Sequence, residues 1–192
     1  GSGAVTLTSG SGTTVGGDIG TGSGITSLTV HGALLLQAGE VVTTNGILFD
    51  DAVTTTASTL SIDAGAGTLH FASTFDGAAD VSLASGAGTQ FDAAVGATTA
   101  LGSLSVSGPA TIAGGSIRTS GAQSYTGALT LAAETTLEST ARGDITLGAV
   151  GGAFDLSVNT SGLTSFTGAL TGLTALTTDT PGSNSLAEDL LV

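Results

Sequence analysis

Apolar and small polar residues alternate in short runs that recur about every ten residues along the chain. The clearest of these runs are Val5-Thr6-Leu7, Leu60-Ser61-Ile62, Val81-Ser82-Leu83, Leu104-Ser105-Val106 and Leu156-Ser157-Val158. Alternation with a period of two predicts β-strands with one buried face. Gly-rich segments such as 9–12 and 65–67 separate the runs and supply the positive φ that tight corners need. Gly and β-branched residues penalise helices throughout, so an all-β fold is expected.

The chain also repeats itself over a longer distance. Residues 5–32 match residues 81–108, with identical residues at several apolar and Gly positions, such as Val5 with Val81 and Gly20 with Gly96, and Phe49 then matches Tyr125. A third, shorter copy begins near Leu156 and places Phe166 over Phe91. The sequence therefore predicts about two and a half copies of a unit of roughly 76 residues, over residues 5–80, 81–155 and 156–180.

Short strands, frequent turns and an internal repeat favour a β-solenoid over residues 1–180. One coil cannot bury its own apolar face, so successive coils have to stack. Coils of roughly 19–25 residues give about eight to ten coils, and a strand spacing of about 4.8 Å makes a rod of roughly 40–50 Å. The alternative is a tandem β-sandwich, but a 76-residue unit is short for such a domain, and the Trp and Cys landmarks of immunoglobulin sandwiches are absent.

Two segments carry a resemblance to a known family. The run FDAAVGATTALGSLSV at 91–106 and the run GGSIRTSGAQSYTGALTL at 114–131 resemble the repeats of large filamentous-haemagglutinin-type exoproteins, and residues 166–179 resemble the next turn of the same cycle. The resemblance is clear over residues 81–179 and more diverged over residues 5–80. It implies a right-handed parallel β-helix, export across the bacterial outer membrane and a role in attachment.

Charge narrows the expected partners. Fifteen carboxylates stand against two cations, Arg118 and Arg142, which gives a net charge of −13. Nucleic-acid binding needs Lys and Arg to displace counterions from phosphates, and anionic membranes attract the same residues, so neither partner is expected. No apolar run approaches the roughly 20 residues of a membrane-spanning helix. The absence of Cys excludes a disulfide scaffold and a thiolate metal site.

Carboxylates are the first candidates for a site. Glu134 and Glu138 are the nearest approach to a glycosidase pair, which needs carboxyls about 5–10 Å apart. Residues four apart in a strand lie about 13 Å apart, so solvated surface charges are expected instead. Asp50, Asp51, Asp76 and Asp80 offer oxygen ligands for calcium, but the Gly-Gly-x-Gly-x-Asp motif of calcium-binding β-rolls is absent.

The remaining candidate residues are also expected to have structural rather than functional roles. His31 and His70 have no neighbouring His or Cys in sequence, so ordinary surface or turn placement is expected. Phe91 and Phe166 share a repeat position with Val15, and this interchange with an aliphatic residue predicts core rather than a sugar-stacking platform. Tyr125 is expected to be core too, with its hydroxyl exposed at a corner. Thr-x-Thr segments such as 54–56 do not recur at a fixed short period, so an ice-binding array is not expected. No catalytic, cofactor-binding or metal residue is assigned.

Residues 181–192 differ from the rest. Pro181-Gly182 breaks the pattern, and Ser185 to Glu188 matches a helix capping box, which predicts a C-terminal cap or a linker. An uncovered solenoid end would favour end-to-end self-association.

The leading hypothesis is a structural or adhesive segment of a secreted bacterial cell-surface protein, with host or bacterial surface glycans or proteins as partners and no enzymatic activity. The alternatives are a β-helix polysaccharide-degrading enzyme, tested at Glu134 and Asp144, and a passive spacer.

Overall fold

The chain forms a stack of parallel β-strands. The structure, a computed structural model, describes residues 3–22, 24–178 and 182–186, and within them it contains strands and no helix. Every pair of neighbouring strands is parallel, and each strand pairs with strands one coil away in sequence. The β-solenoid prediction is therefore confirmed, with about eight turns, and the sandwich alternative, which needs antiparallel hairpins, is wrong.

Three faces run the length of the stack, and the chain visits them in the order A, B, C. Face A is a nine-stranded sheet of β1(Val5–Thr8), β3(Leu28–His31), β6(Ile47–Phe49), β9(Thr68–Phe71), β12(Gly88–Phe91), β14(Ala110–Ile112), β17(Leu129–Leu131), β20(Val150–Gly151) and β23(Leu170–Thr171). Face B consists of β2(Thr13–Val15), β4(Leu34–Leu36), β7(Val53–Thr55), β10(Phe75–Asp76), β15(Ser116–Thr119), β18(Thr135–Ser139), β21(Leu156–Thr160) and β24(Leu176–Thr178). Face C consists of β5(Glu40–Val42), β8(Thr59–Asp63), β11(Asp80–Ala84), β13(Ser103–Ser107), β16(Gln123–Tyr125), β19(Ile145–Leu147), β22(Leu163–Phe166) and β25(Ser183–Leu186).

Face B changes strand pairing at its middle. Its first four strands and its last four form two sheets, and Val95 links them through parallel bridges to Phe75 and Ile117. The three faces therefore run alongside one another from the first coils to the last.

Coils differ in length. On face A the register pairs Val5 with Leu28 and then Leu28 with Ile47, so the first coil is longer than the second, and the other coils of this face are no longer than the first. Because the strands stay in register, the extra residues are absorbed at the corners. At about 4.8 Å per strand spacing, eight turns make a rod of roughly 38 Å.

Two equivalent glycines show how the corners are built. Gly20 and Gly96 occupy the same repeat position and have φ of 76° and 71°, in the left-handed region. A Cβ on Gly20 would lie 1.9 Å from the carbonyl oxygen of Val42, and one on Gly96 would lie 2.1 Å from that of Arg118. The corner therefore needs both the conformational freedom and the missing side chain of glycine.

The core is a narrow column of inward side chains. Leu60, Val81 and Leu104 stack in register along face C, as do Ile47, Leu69 and Thr89 along face A, and all six are at least 98 % buried. Outward positions on the same strands carry mainly Ser, Thr and charged residues.

The C-terminal segment continues the stack where it is described. Ser183–Leu186 forms β25 and pairs with β22 on face C, through Leu163 with Ser183 and Thr164 with Asn184. Pro181 and residues 187–192, where the predicted cap continues, lie outside the described residues.

Candidate functional site

Most aromatic residues lie in the core. Phe91, Phe166 and Tyr125 are each at least 98 % buried, which confirms their prediction as core, and Phe49 is buried as well. The ring of Phe71 lies 5.2 Å from that of Phe49, 4.9 Å from that of Phe75 and 5.6 Å from that of Phe91. These rings pack among themselves and face no solvent, so they offer no sugar platform. Phe154, 36 % exposed, is the most exposed aromatic side chain of the described residues.

A polar network lies inside the core, where the sequence predicted only apolar contacts. The Tyr125 hydroxyl donates to Gln123 Oε1 at 3.0 Å, so the prediction of an exposed hydroxyl at a corner is wrong. Gln123 Nε2 lies within hydrogen-bond distance of the Glu138 carbonyl oxygen at 2.8 Å and of Thr119 Oγ1 at 3.2 Å. Burial raises the pKa of Tyr125 above its ordinary value because the phenolate would lose its hydration. The network is closed to solvent and stabilises the fold.

The candidate catalytic carboxylates are not paired with each other. Glu138 lies outward on β18, and its Oε2 forms an ion pair with Arg118 Nε at 3.0 Å, one coil below. Glu134 is an exposed residue that precedes the same strand. Asp144, the other residue named for the enzyme hypothesis, accepts the backbone N–H of Leu163 at 2.8 Å. Each of Glu138 and Asp144 thus has an inter-coil partner.

The candidate calcium ligands are also used between or within coils. Asp76 Oδ1 accepts the backbone N–H groups of Thr98 and Thr99 at 2.8 and 3.1 Å, and Asp80 Oδ1 accepts the Ser103 hydroxyl at 2.8 Å. Asp51 accepts the N–H of the following residue, and Asp50 pairs with a histidine. Across the part of the chain that the structure describes, His, Asp and Glu side chains form no group of three that could hold a metal ion.

Both histidines pair with an aspartate of the next coil. His31 Nδ1 lies 2.9 Å from Asp50 Oδ2, and His70 Nε2 lies 2.7 Å from Asp92 Oδ2. Both histidines are outward residues near the end of face A strands, as expected for surface placement. Neither pair was predicted from the sequence, although their separations of 19 and 22 residues equal one coil.

Face C carries a row of hydroxyl groups that was not predicted from the sequence either. One outward position recurs on seven successive coils and holds Ser or Thr on each, namely Ser61, Ser82, Ser105, Ser124, Thr146, Ser165 and Ser185. Neighbours in this row pair directly across the sheet, so their Cα atoms are about 4.8 Å apart. Their sequence separations vary from coil to coil, so a search for one fixed period does not find them.

A shallow depression lies over the first part of this row. It has a volume of about 340 Å³, and Ser61, Ser82 and Ser105 line it together with Thr59, Asp80 and Ser103. Its polar groups are hydroxyls and one carboxylate that already accepts a hydrogen bond, and Gly39, Leu60 and Val81 complete the lining. The groups in it can exchange hydrogen bonds with a partner, but they include no base, nucleophile and acid set for catalysis.

Among the described residues there is no helix with the length and apolar character to cross a bilayer.

Comparison with known proteins gives no further identification. No family model, no curated protein and no solved structure matches this chain.

Proposed function

We propose that this chain is a structural and adhesive repeat segment of a secreted bacterial cell-surface protein. In this role it serves as a stiff rod whose outer strand positions make many weak contacts with surface glycans or proteins. The resemblance of residues 81–179 to filamentous-haemagglutinin-type repeats motivates the bacterial surface and the export. The observation that carries the adhesive part is the seven-coil row of outward hydroxyls on face C.

Stiffness follows from how the coils are joined. The sheets of faces A and C are continuous over nine and eight strands, and the buried residues form one connected core along the stack. Bending such a rod would break hydrogen bonds on one side and open the core on the other. This supports a role in holding contacts at a distance from a surface.

Polar chemistry of the outer faces favours contact over catalysis. Asp76, Asp80 and Asp144 accept hydrogen bonds from the next coil, and Glu138 pairs with the arginine of the previous one. Hydroxyls such as those of Ser82 and Ser105 instead face outward from the sheet, where an incoming ligand can reach them. Rows of uncharged hydrogen-bonding groups suit a ligand that is held by hydrogen bonds better than one that reacts.

Bead attachment tests the proposal. Beads coated with the purified chain are applied to panels of neutral glycans, acidic glycans and matrix proteins, with beads coated with the variant Phe71→Asp, which buries a charge in the core, as an unfolded control. We expect attachment to a subset of surfaces by the folded chain and none by the control. Equal attachment of both, or none by the folded chain on any surface, overturns the adhesive role. A persistence length no greater than that of a flexible linker, measured by scattering on a tandem of the chain, overturns the structural one.

A further inference from the structure

Sequence repeat and structural coil do not share a period. The repeat places Val5 over Val81 and Val81 over Leu156. In the structure Val5 lies on β1 in face A, Val81 on β11 in face C and Leu156 on β21 in face B. Counted by their face A strands, these are the first, fourth and eighth coils. One repeat therefore spans three and two-thirds coils, and each new repeat starts on a different face.

A second set of equivalent residues shows the same rotation. Val15, Phe91 and Phe166 occupy one repeat position and lie on β2, β12 and β22, in faces B, A and C. Each repeat advances the chain by a whole number of strands, so a side chain that points inward in one repeat also points inward in the next. What changes is the side of the rod to which the outward neighbours point.

We propose that successive repeats present equivalent contact positions on the three faces in turn. We call this arrangement a three-face screw, because each repeat is both shifted along the axis and rotated about it. The outward residues of the first set are Thr6, Ser82 and Ser157, one on each face. Successive members are separated along the axis by about 18 Å, from three and two-thirds coils at about 4.8 Å. A flat partner lying along one face would meet the same repeat position only once in every three repeats, which is about 53 Å along the axis of the rod.

This display fits a partner that binds one repeat at a time from any side. The equivalent outward residues are hydroxyls in the first set and Thr14, Gln90 and Ser165 in the second, all uncharged hydrogen-bonding groups. A net charge of −13 repels anionic ligands. The fitting ligand is a neutral oligosaccharide short enough to lie within one repeat. The choice of ligand rests on the proposed adhesive function. The placement of equivalent residues on three faces does not depend on that function.

Spin-label distances test the display directly. The chain has no Cys, so Thr6→Cys, Ser82→Cys and Ser157→Cys give unique sites, and three double variants give three distances. On a three-face screw, the Thr6–Ser157 distance is clearly shorter than the sum of the other two, because the sites are not collinear. The matched control uses Ser61, Ser124 and Ser185, which lie three coils apart on face C. There the two shorter distances, about 14 Å each along the axis, should add up to the longer one. Additive distances in the test set overturn the screw.

Face-by-face variants test the partner on whichever neutral glycan surface the folded chain binds best. The two repeat-equivalent outward residues of each face become lysine, on face A (Thr6 and Gln90), on face B (Thr14 and Ser157) or on face C (Ser82 and Ser165). Each pair should lower attachment by about a third. Complete loss from one pair with no change from the others overturns display in three directions. If the unaltered chain binds no glycan, the adhesive function and the partner fail, while the spin-label distances still decide the screw.

Discussion

Removing the ring of Phe71 should cost more stability than any other single truncation on face A. Phe71 is 1 % exposed and lies at the centre of four rings, in contact distance of Phe49, Phe75 and Phe91. Phe→Ala in a core costs about 3–5 kcal/mol, and each aromatic pair contributes about 0.5–1.5 kcal/mol beyond its buried area. With three pairs lost at once, we expect a loss of unfolding free energy of about 5 kcal/mol for Phe71→Ala.

Phe71→Leu separates volume from ring contacts. Leucine fills most of the same space, so this variant should lose mainly the three aromatic pairs, about 1.5–4.5 kcal/mol at about 0.5–1.5 kcal/mol each. Phe154→Ala is the matched control because Phe154 is 36 % exposed at a corner. Its truncation should cost less than about 1 kcal/mol.

Urea unfolding provides the measurement with two independent signals. Far-UV circular dichroism follows all strands, while fluorescence of Tyr125, the single Tyr in a chain without Trp, follows face C two coils above Phe71. Since each coil is stabilised by its neighbours, both signals should shift together in Phe71→Ala. A loss for Phe71→Ala within about 1 kcal/mol of that for Phe154→Ala would refute the reasoning.

Three further predictions follow from single features. Burial raises the pKa of Tyr125 above its ordinary value near 10, while the unfolded chain keeps that value. The free energy of unfolding is therefore unaffected below pH 10 and should fall above pH 10 by up to about 1.4 kcal/mol per pH unit. Tyr125→Phe should remove this pH dependence, which is measured by the urea midpoints from pH 8 to 11. Gly96→Ala should destabilise the fold by more than about 1 kcal/mol, because Gly96 has a positive φ and its new Cβ would clash with the Arg118 carbonyl oxygen. Gly17→Ala is the control, since a Cβ on Gly17 would have no atom within 4 Å. Equal melting temperatures of the two variants would contradict this prediction. Asp76→Ala should cost about 1 kcal/mol by removing an acceptor for two N–H groups of the next coil, with Asp76→Asn, which keeps an acceptor oxygen, as the control.

Strand positions and the core were predictable from the sequence because alternation reports directly which side chains point inward. Leu60, Val81 and Leu104 stand in such runs, and all three are buried and stacked on face C. The stacking of coils followed from the same pattern, since a single coil has nothing against which to bury these residues.

Lateral neighbours were not predictable, because corner length varies from coil to coil. His31 and Asp50 become neighbours across a short coil, and Ser82 and Ser105 across a longer one, so no single spacing finds both pairs. Gln123 was missed for a different reason. An amide at an inward position contradicts the apolar pattern, and it is accommodated because it hydrogen-bonds with the Tyr125 hydroxyl and the Glu138 carbonyl oxygen.

The direction of the backbone hydrogen bonds has a mechanical consequence. The bonds that join one coil to the next, such as Leu34 N–H to the Ala52 carbonyl oxygen, run along the long axis of the rod. Tension applied at the two ends therefore loads a few of these bonds at a time, and the coils should peel off one after another. Each coil of about 20 residues releases up to roughly 70 Å of extended chain. Such a segment pulled between two anchored bodies lengthens in steps and absorbs a sudden load before either attachment has to break.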